Sequence, residues 1–199
     1  MTKTWLVVGL GNPGRSYQRT RHNVGFMVAD ELVGRAGLRW RKARAVRAEV
    51  AATAYSSAGW NLPAADAFQV IFVKPQTFMN NSGDAVRRLI KSNRVGLDHL
   101  VVVHDEIDLD DGCLRLKFGG GDNGHNGLKS LRSQLGSGDY YRLRFGVSRP
   151  SGSGDPIDWV LAPFPASQAE DLKLSVTEAA DAVECLLLEG LEAAQNRFN

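Results

Sequence analysis

Five polar residues sit in short loops marked by glycine or proline. They are Asn12 in GNPG (11–14), His22 in TRHNVG (20–25), Asn80 in KPQTFMN (74–80), Asp105 in HDEID (104–108) and Asn126 in GGGDNGHNG (119–127). A neutral imidazole can take a proton from water near neutral pH. A carboxylate on its second nitrogen fixes the tautomer and stabilises the imidazolium. Asp105 is the natural candidate for that carboxylate. Asp108 competes for the role, and turn capping is the structural alternative for both. Carboxamides both donate and accept hydrogen bonds, so Asn12, Asn80 and Asn126 could hold a carbonyl or an attacking water without changing charge. Such a set suits hydrolysis of an acyl ester with electrostatic help. Asparagine is by default a turn residue, and a lone histidine is most often structural. His22 departs from that default because Arg19, Arg21 and Asn23 flank it.

Other chemistries fit less well. Gly9-Leu-Gly11-Asn-Pro-Gly14 matches GxGxxG, but Pro13 lies inside the turn and a polar loop follows it. A dinucleotide site wants a helix at the third glycine and an acid at the end of the next strand. Here Asp30 and Glu31 fall inside a helical pattern, so a tight turn presenting Asn12 is favoured and no cofactor is expected. HDEIDLDDG resembles a calcium loop, but with Glu106 as the first ligand, Asp111 and Lys117 stand where the loop needs glycine and glutamate. His22, His104, His125 and Cys113 show no zinc-like spacing, so no metal is expected. GxSxG, the mark of a serine nucleophile, does not occur.

The elements that must position these loops alternate between strands and helices. Residues 4–10, 68–74 and 100–103 read as buried strands, and 113–118 and 141–147 as further strands. Residues 46–53 alternate as a half-buried strand with Val46, Ala48, Val50 and Ala52 inward, and 55–67 read as a loop or hairpin insertion. Helical spacing marks residues 23–37 (stopped at Gly37), 81–93, 127–135 and 167–189, and 148–156 read as a Ser/Gly/Pro loop. The fold class is therefore α/β: a single globular domain, residues 1–199, with a twisted mixed β-sheet sandwiched between α-helices. In such sheets ligands bind beyond the carboxyl ends of the strands, where all five polar residues fall.

At 199 residues the chain can bury its own core, and 43% apolar with 23% charged residues is ordinary for a globular protein. Cys113 and Cys185 form no CxxC or disulfide framework, which suits a reducing, cytoplasmic setting. The apolar run 5–10 is too short for a signal sequence or a membrane span, so no membrane association is expected. The net charge of +2 hides an asymmetry. Residues 1–50 hold ten Lys/Arg against three Asp/Glu, and residues 151–199 hold two against nine. The basic half could face a polyanion; a solvated surface is the plainer alternative.

Four motifs, in order, carry a resemblance: GLGNPGRSYQRTRHNVG, KPQTFMNNSG, HDEIDL and KFGGGDNGHNGLKS. Together they resemble bacterial-type peptidyl-tRNA hydrolase, over nearly the whole chain. The resemblance implies a monomeric, metal-free, cytoplasmic esterase with no obligate protein partner. It would cut the ester between a peptide and the 3′ ribose of tRNA and so recycle tRNA from stalled translation. It puts the catalytic histidine on His22, the supporting aspartate on Asp105, and the asparagines that position substrate and water on Asn80 and Asn126. Asn12 would carry the preference for blocked aminoacyl ends. Tyr17 and Phe78 would meet the tRNA end or the peptide, Lys117 and Arg144 would hold the 5′ phosphate, and His125 would shape the same site. Two features depart from the pattern: Asp122-Asn123 in the glycine loop and the long 55–67 connection. Both are expected to bear on affinity and rate rather than on the chemistry. Two alternatives stand beside the hydrolase: an RNA-binding protein on the same scaffold that no longer hydrolyses, and a dinucleotide enzyme built on GLGNPG.

Overall fold

The computed structural model describes residues 3–150, 152 and 154–199. Its frame is one mixed sheet. The strands are β1 (Thr4–Gly9), β2 (Arg41–Ala43), β3 (Ala48–Ser56), β4 (Gly59–Trp60), β5 (Phe68–Pro75), β6 (Leu100–Glu106), β7 (Leu114–Phe118) and β8 (Tyr141–Gly146). They run in the order β2-β3-β5-β1-β6-β8-β7, with β4 paired to β3. The central four, β5-β1-β6-β8, are parallel, and antiparallel strands flank them on both sides. Buried on both faces, these central strands read as continuous apolar runs.

Alternate residues of each central strand feed two cores. Trp5, Val7, Val101 and Val103 pack against α1 (Val24–Arg35), α5 (Ala169–Glu189) and α6 (Leu191–Phe198). Leu6, Val8, Leu100 and Val102 pack against α2 (Ser82–Asn93) and α3 (Asn126–Leu135). The expected α/β sandwich is thus what the chain forms. α1 stops where the sequence placed its stop. Gly37 has φ +65 and the Leu38 N–H reaches back to the Val33 carbonyl at 3.0 Å, a left-handed ending that glycine allows.

Three expectations need correction: the start of β3, the inward place of Ala52, and the end of β6, which runs on to Glu106 and takes Asp105 into the strand instead of a loop past it. Val46 is not in a strand; residues Arg44–Val46 form a 3-10 turn, Arg47 is left-handed (φ 52), and β3 begins at Ala48. Ala48 and Val50 do face the α2 side, but Ala52 is exposed, and Ala51 and Tyr55 fill the opposite core. β3 is covered on both faces, so a simple alternation could not describe it. A short helix, α4 (Pro156–Leu161), follows the Ser/Gly/Pro stretch directly, and α6 continues past Gly190. The 55–67 segment is a hairpin, as one of its two expected forms. Trp60 stacks on Tyr55 at 3.7 Å and donates to Glu184 at 2.8 Å, remote from the strand ends that carry the polar loops.

Candidate active site

The glycine motif brings α1 against the sheet. A Cβ on Gly9 would lie 2.1 Å from the Gly25 carbonyl oxygen, and one on Gly25 would lie 2.4 Å from that of Val103. Only backbone fits there, so the turn before α1 sits directly over the end of β6. The glycines of GLGNPG thus serve helix–sheet contact and a turn: Gly11 abuts the Phe26 ring, and Gly14 has φ +110.

The result is a cluster centred on Asp105. His22, in the 3-10 turn Arg21–Asn23, places Nδ1 at 2.9 and 3.0 Å from the two Asp105 oxygens. His125 Nε2 lies 3.0 Å from Asp105 Oδ1. The His125 Nδ1 accepts the backbone N–H groups of Gly127 and Leu128 at 3.1 and 3.3 Å, capping α3. With Nδ1 an acceptor, His125 must carry its proton on Nε2 and donate to Asp105. Asp105 is then an acceptor for both rings, which places the His22 proton on Nδ1 and leaves its Nε2 lone pair for the cleft. Burial works to raise the Asp105 carboxyl, but His22 and His125 outweigh it and hold it well below the usual carboxylate range. Beneath them His104, 1% exposed, donates Nδ1–H to the Asp105 carbonyl at 2.8 Å. Burial, then His125, pushes its imidazole down to about 3, so it stays neutral.

The asparagines divide into two kinds. Asn12 is buried, and its Oδ1 accepts the Met79 N–H at 2.8 Å. That bond orients the carboxamide and leaves Nδ2 as a donor on the cleft wall. Its backbone is gripped by Asn23, which accepts Asn12 N–H at 2.8 Å and donates to the Asn12 carbonyl at 2.9 Å. Asn80 and Asn126 are exposed at the rim, the latter as the first residue of α3. A Cβ on Gly127 would meet Met79 Sδ at 2.6 Å, so the loops bearing the two rim asparagines are in direct contact.

These groups line a cleft of about 510 Å³. Its other wall is apolar: Phe78, Ile107, and Ile157, Val160 and Leu161 of α4. Phe78 is 55% exposed and meets Tyr17 edge-on at 6.4 Å; Tyr17 reaches the cleft through Phe78 and is not itself in its wall. The placement of α4 depends on Arg21, 4% exposed, whose guanidinium stacks on Trp159 at 3.7 Å and donates to the Trp159, Ala162 and Pro163 carbonyls. Arg21, Asn23 and α4 were not singled out from the sequence. Polar residues on both sides of a histidine, and the helix start signal Asp155-Pro156, are the signs the sequence carries for them.

Lys117 and Arg144 come together but stand apart from the cleft wall. They lie on adjacent strands, on the sheet face that carries α2 and α3. Burial, then Arg144 and Arg142, lowers the Lys117 pKa. Arg144 Nε pairs with buried Glu106 at 3.0 Å, and Glu106 also receives Asn123 Nδ2 at 3.5 Å. Asp122-Asn123 therefore has local work. The Asp122 carboxylate accepts the Gly124 N–H at 3.2 Å, its carbonyl accepts the His125 N–H, and Asn123 is left-handed at φ 46.

His22, Asp105 and His125 also place one candidate ligand atom each within 4.8 Å of one another, a cluster that sequence spacing did not reveal. As potential metal ligands they are poorly suited. His125 Nε2 needs its proton while Nδ1 caps α3, and the facing atoms of the other two are already joined in hydrogen bonds.

The family model for peptidyl-tRNA hydrolase matches residues 6–199. A peptidyl-tRNA hydrolase of Cutibacterium acnes is 56% identical over 199 residues, covering 100% of both chains. One from Streptomyces avermitilis is 49% identical, covering 98% of this chain and 93% of its own. The crystal structure of peptidyl-tRNA hydrolase from Acinetobacter baumannii superposes with a TM-score of 0.86 at 29% identity, covering 100% of this chain and 96% of that one. A sheet-edge cleft built on an imidazole, a carboxylate and asparagines, with a family match this complete, places the chain in the peptidyl-tRNA hydrolase family.

Proposed function

We propose that the cleft hydrolyses the ester joining a peptide to the 3′ ribose of tRNA, with His22 as general base. The observation that carries this is the His22–Asp105 pair, bonded through Nδ1 so that Nε2 is left for water. His22 Nε2 takes a proton from water as the hydroxide oxygen attacks the ester carbonyl. Asp105 stabilises the imidazolium that forms. Donors on Asn12 Nδ2, Asn80 and Asn126 hold the attacking water and the carbonyl oxygen as its charge grows. The tetrahedral intermediate then expels the ribose oxygen, which takes the proton back from His22. The products are a free peptide acid and a tRNA with its 3′ hydroxyl. An alkoxide leaves far more readily than an amide nitrogen, so peptide bonds survive in the same cleft.

The apolar wall of Phe78, Ile157, Val160 and Leu161 takes the peptide, and Lys117 with Arg144 takes the 5′ phosphate. That pairing requires Arg144 to share itself between phosphate and Glu106. The protein acts as a metal-independent cytoplasmic monomer that recycles tRNA from stalled translation. Among the described residues no helix is long and apolar enough to cross a membrane. The test is hydrolysis of N-acetyl-aminoacyl-tRNA and of unblocked aminoacyl-tRNA with chelator present, with His22→Ala as control. Cleavage of the blocked substrate alone, lost in the variant, is the expected result. No cleavage by folded protein that still binds tRNA would overturn it in favour of a binding-only role.

A further inference from the structure

The two faces of the sheet differ in charge. The face bearing α1, α5 and α6 receives the acidic C-terminal quarter, with nine Asp/Glu against two Lys/Arg in residues 151–199. The face bearing α2 and α3 is basic at both flanks. Lys117 and Arg144 account for one flank, at β7 and β8. The other takes no part in the proposed reaction. There the 3-10 turn Arg44–Val46 lies beside α2, tied to it by Arg88, which donates to the Ala45 carbonyl at 3.4 Å. Arg41 pairs directly with Val50 of β3 and so shares its face, the one that packs on the α2-side core. Arg41, Arg44, Arg47, Arg87 and Lys91 are all exposed, and Arg87 and Lys91 are four apart on the outward face of α2. Among the described residues, Arg41, Arg44, Arg47 and Lys91 enter no ion pair, and the acid on this flank, Asp84, is engaged by Arg88 at 3.2 Å and more loosely by Arg87 at 3.8 Å.

This flank is continuous with the cleft. The Arg47 carbonyl accepts the Gln76 N–H at 2.8 Å, and four residues after Gln76 the same loop presents Asn80 at the rim. A polar groove of about 290 Å³ between α2 and α3 shares Asn80 and Asn126 with the cleft and is lined further by Asp84, Lys129, Ser130 and Ser133. Three strand steps separate β2 from β1, and three separate β1 from β7. At about 4.8 Å per step the two basic flanks stand roughly 30 Å apart with the cleft between them.

We infer that the Arg44–Arg47 turn and the outward face of α2 form a second phosphate-binding surface, which holds the duplex body of the tRNA on the opposite side of the cleft from Lys117 and Arg144. The inference rests on the proposed substrate. Its chemistry is charge pairing with backbone phosphates, without base contacts, so it adds affinity for any tRNA body and a dependence on salt.

The test compares wild type with a triple variant, Arg44→Gln, Arg87→Gln and Lys91→Gln, which leaves Arg88 to hold the turn. The substrates are full-length N-acetyl-aminoacyl-tRNA and the same ester on a CCA trinucleotide. For the full-length substrate KM should rise, and the slope of log KM against log salt should fall by about 2–3, since each phosphate contact contributes about 0.7–0.9. The advantage of the full-length over the short substrate should shrink accordingly. An unchanged KM and slope for full-length tRNA would overturn the inference, as would an equal loss on both substrates, because then the effect does not pass through the RNA body. A second variant, Arg44→Lys, Arg87→Lys and Lys91→Arg, should keep the wild-type slope; failure to keep it counts against charge as the cause. If wild type cleaves neither ester, the proposed reaction fails, and equilibrium tRNA binding across the same salt series still tests the surface.

Discussion

His104 should make the fold sensitive to acid well above the carboxylate range. Its ring is 1% exposed, donates one N–H to the Asp105 carbonyl and has no partner at Nε2. Burial, then His125, depresses its folded pKa to about 3 from the ordinary 6.5. Below 6.5 the unfolded chain binds a proton at this position that the folded chain refuses, so stability must fall with falling pH from about 6.5 down to about 3. At pH 5 the folded form is still neutral, so the loss depends only on the unfolded value, about 1.5 units higher. At about 1.4 kcal/mol per unit this is about 2 kcal/mol lost between pH 7 and pH 5. Asp105, whose folded pKa is lowered, weakens the fold only below the ordinary carboxylate value of 3.8, outside this window. The perturbation is His104→Phe, which removes the titration and keeps an aromatic ring in the site. Urea unfolding at the two pH values reads it. With an m-value of about 2 kcal/mol/M, wild type should lose about 1 M more of its midpoint than the variant does. The variant starts lower at pH 7 for want of the bond to Asp105, so only the change with pH is diagnostic. Equal losses in the two proteins would refute the neutral buried state of His104.

Further expectations concern the cleft. Asp105→Asn should keep the fold and KM but reduce kcat by about 10³–10⁴-fold, from loss of the charge that steadies the His22 imidazolium; single-turnover rates on blocked tRNA measure it, and a loss under tenfold would remove Asp105 from the mechanism. Asn12→Asp keeps an acceptor for the Met79 N–H but exchanges the Nδ2 donor for negative charge, so activity should fall by about 10²-fold or more with little change in melting temperature. Asn12→Ala should lose both, with about 1–3 kcal/mol of stability as the Met79 N–H is left buried and unpaired. Ile157→Ser with Leu161→Ser should raise KM for esters of apolar peptides and spare N-acetylglycyl-tRNA; a uniform change across substrates would mean that α4 does not contact the peptide.

The strand-end loops were legible because chemistry and turn residues coincide in them, except that Asp105 lies within β6 itself, whose polar last residues His104-Asp105-Glu106 read as a loop. His22, Asp105, Asn12, Asn80 and Asn126 all arrive at one cleft. What stayed hidden depends on contacts between distant segments. Nothing in HNG announces that His125 caps α3 with one nitrogen and donates to Asp105 with the other. Asn23 looked like a neighbour of the histidine, yet it clamps the Asn12 backbone from eleven residues away. α4 follows the Ser/Gly/Pro stretch without a legible pattern, although Asp155 caps it and Pro156 opens it, because the helix is short and its exposed Ile157 gives no inward stripe. β3 was misread at its start because the left-handed Arg47 resets the chain between an apolar turn and an apolar strand.

The arrangement around Asp105 also bears on which of three histidines near one carboxylate can serve as the proposed base. His104 refuses a proton down to about pH 3. His125 already bears one on Nε2, and a second on Nδ1 would break two backbone bonds at the start of α3. That leaves His22 Nε2 as the site in the cluster that can gain and return a proton without disturbing the fold. Ester hydrolysis needs that one transfer, from water to imidazole to the departing ribose oxygen. An amide nitrogen is a far poorer leaving group than the ribose oxygen, and Asp105, held ionised by its two imidazole donors, adds no second proton donor to the His22 imidazolium.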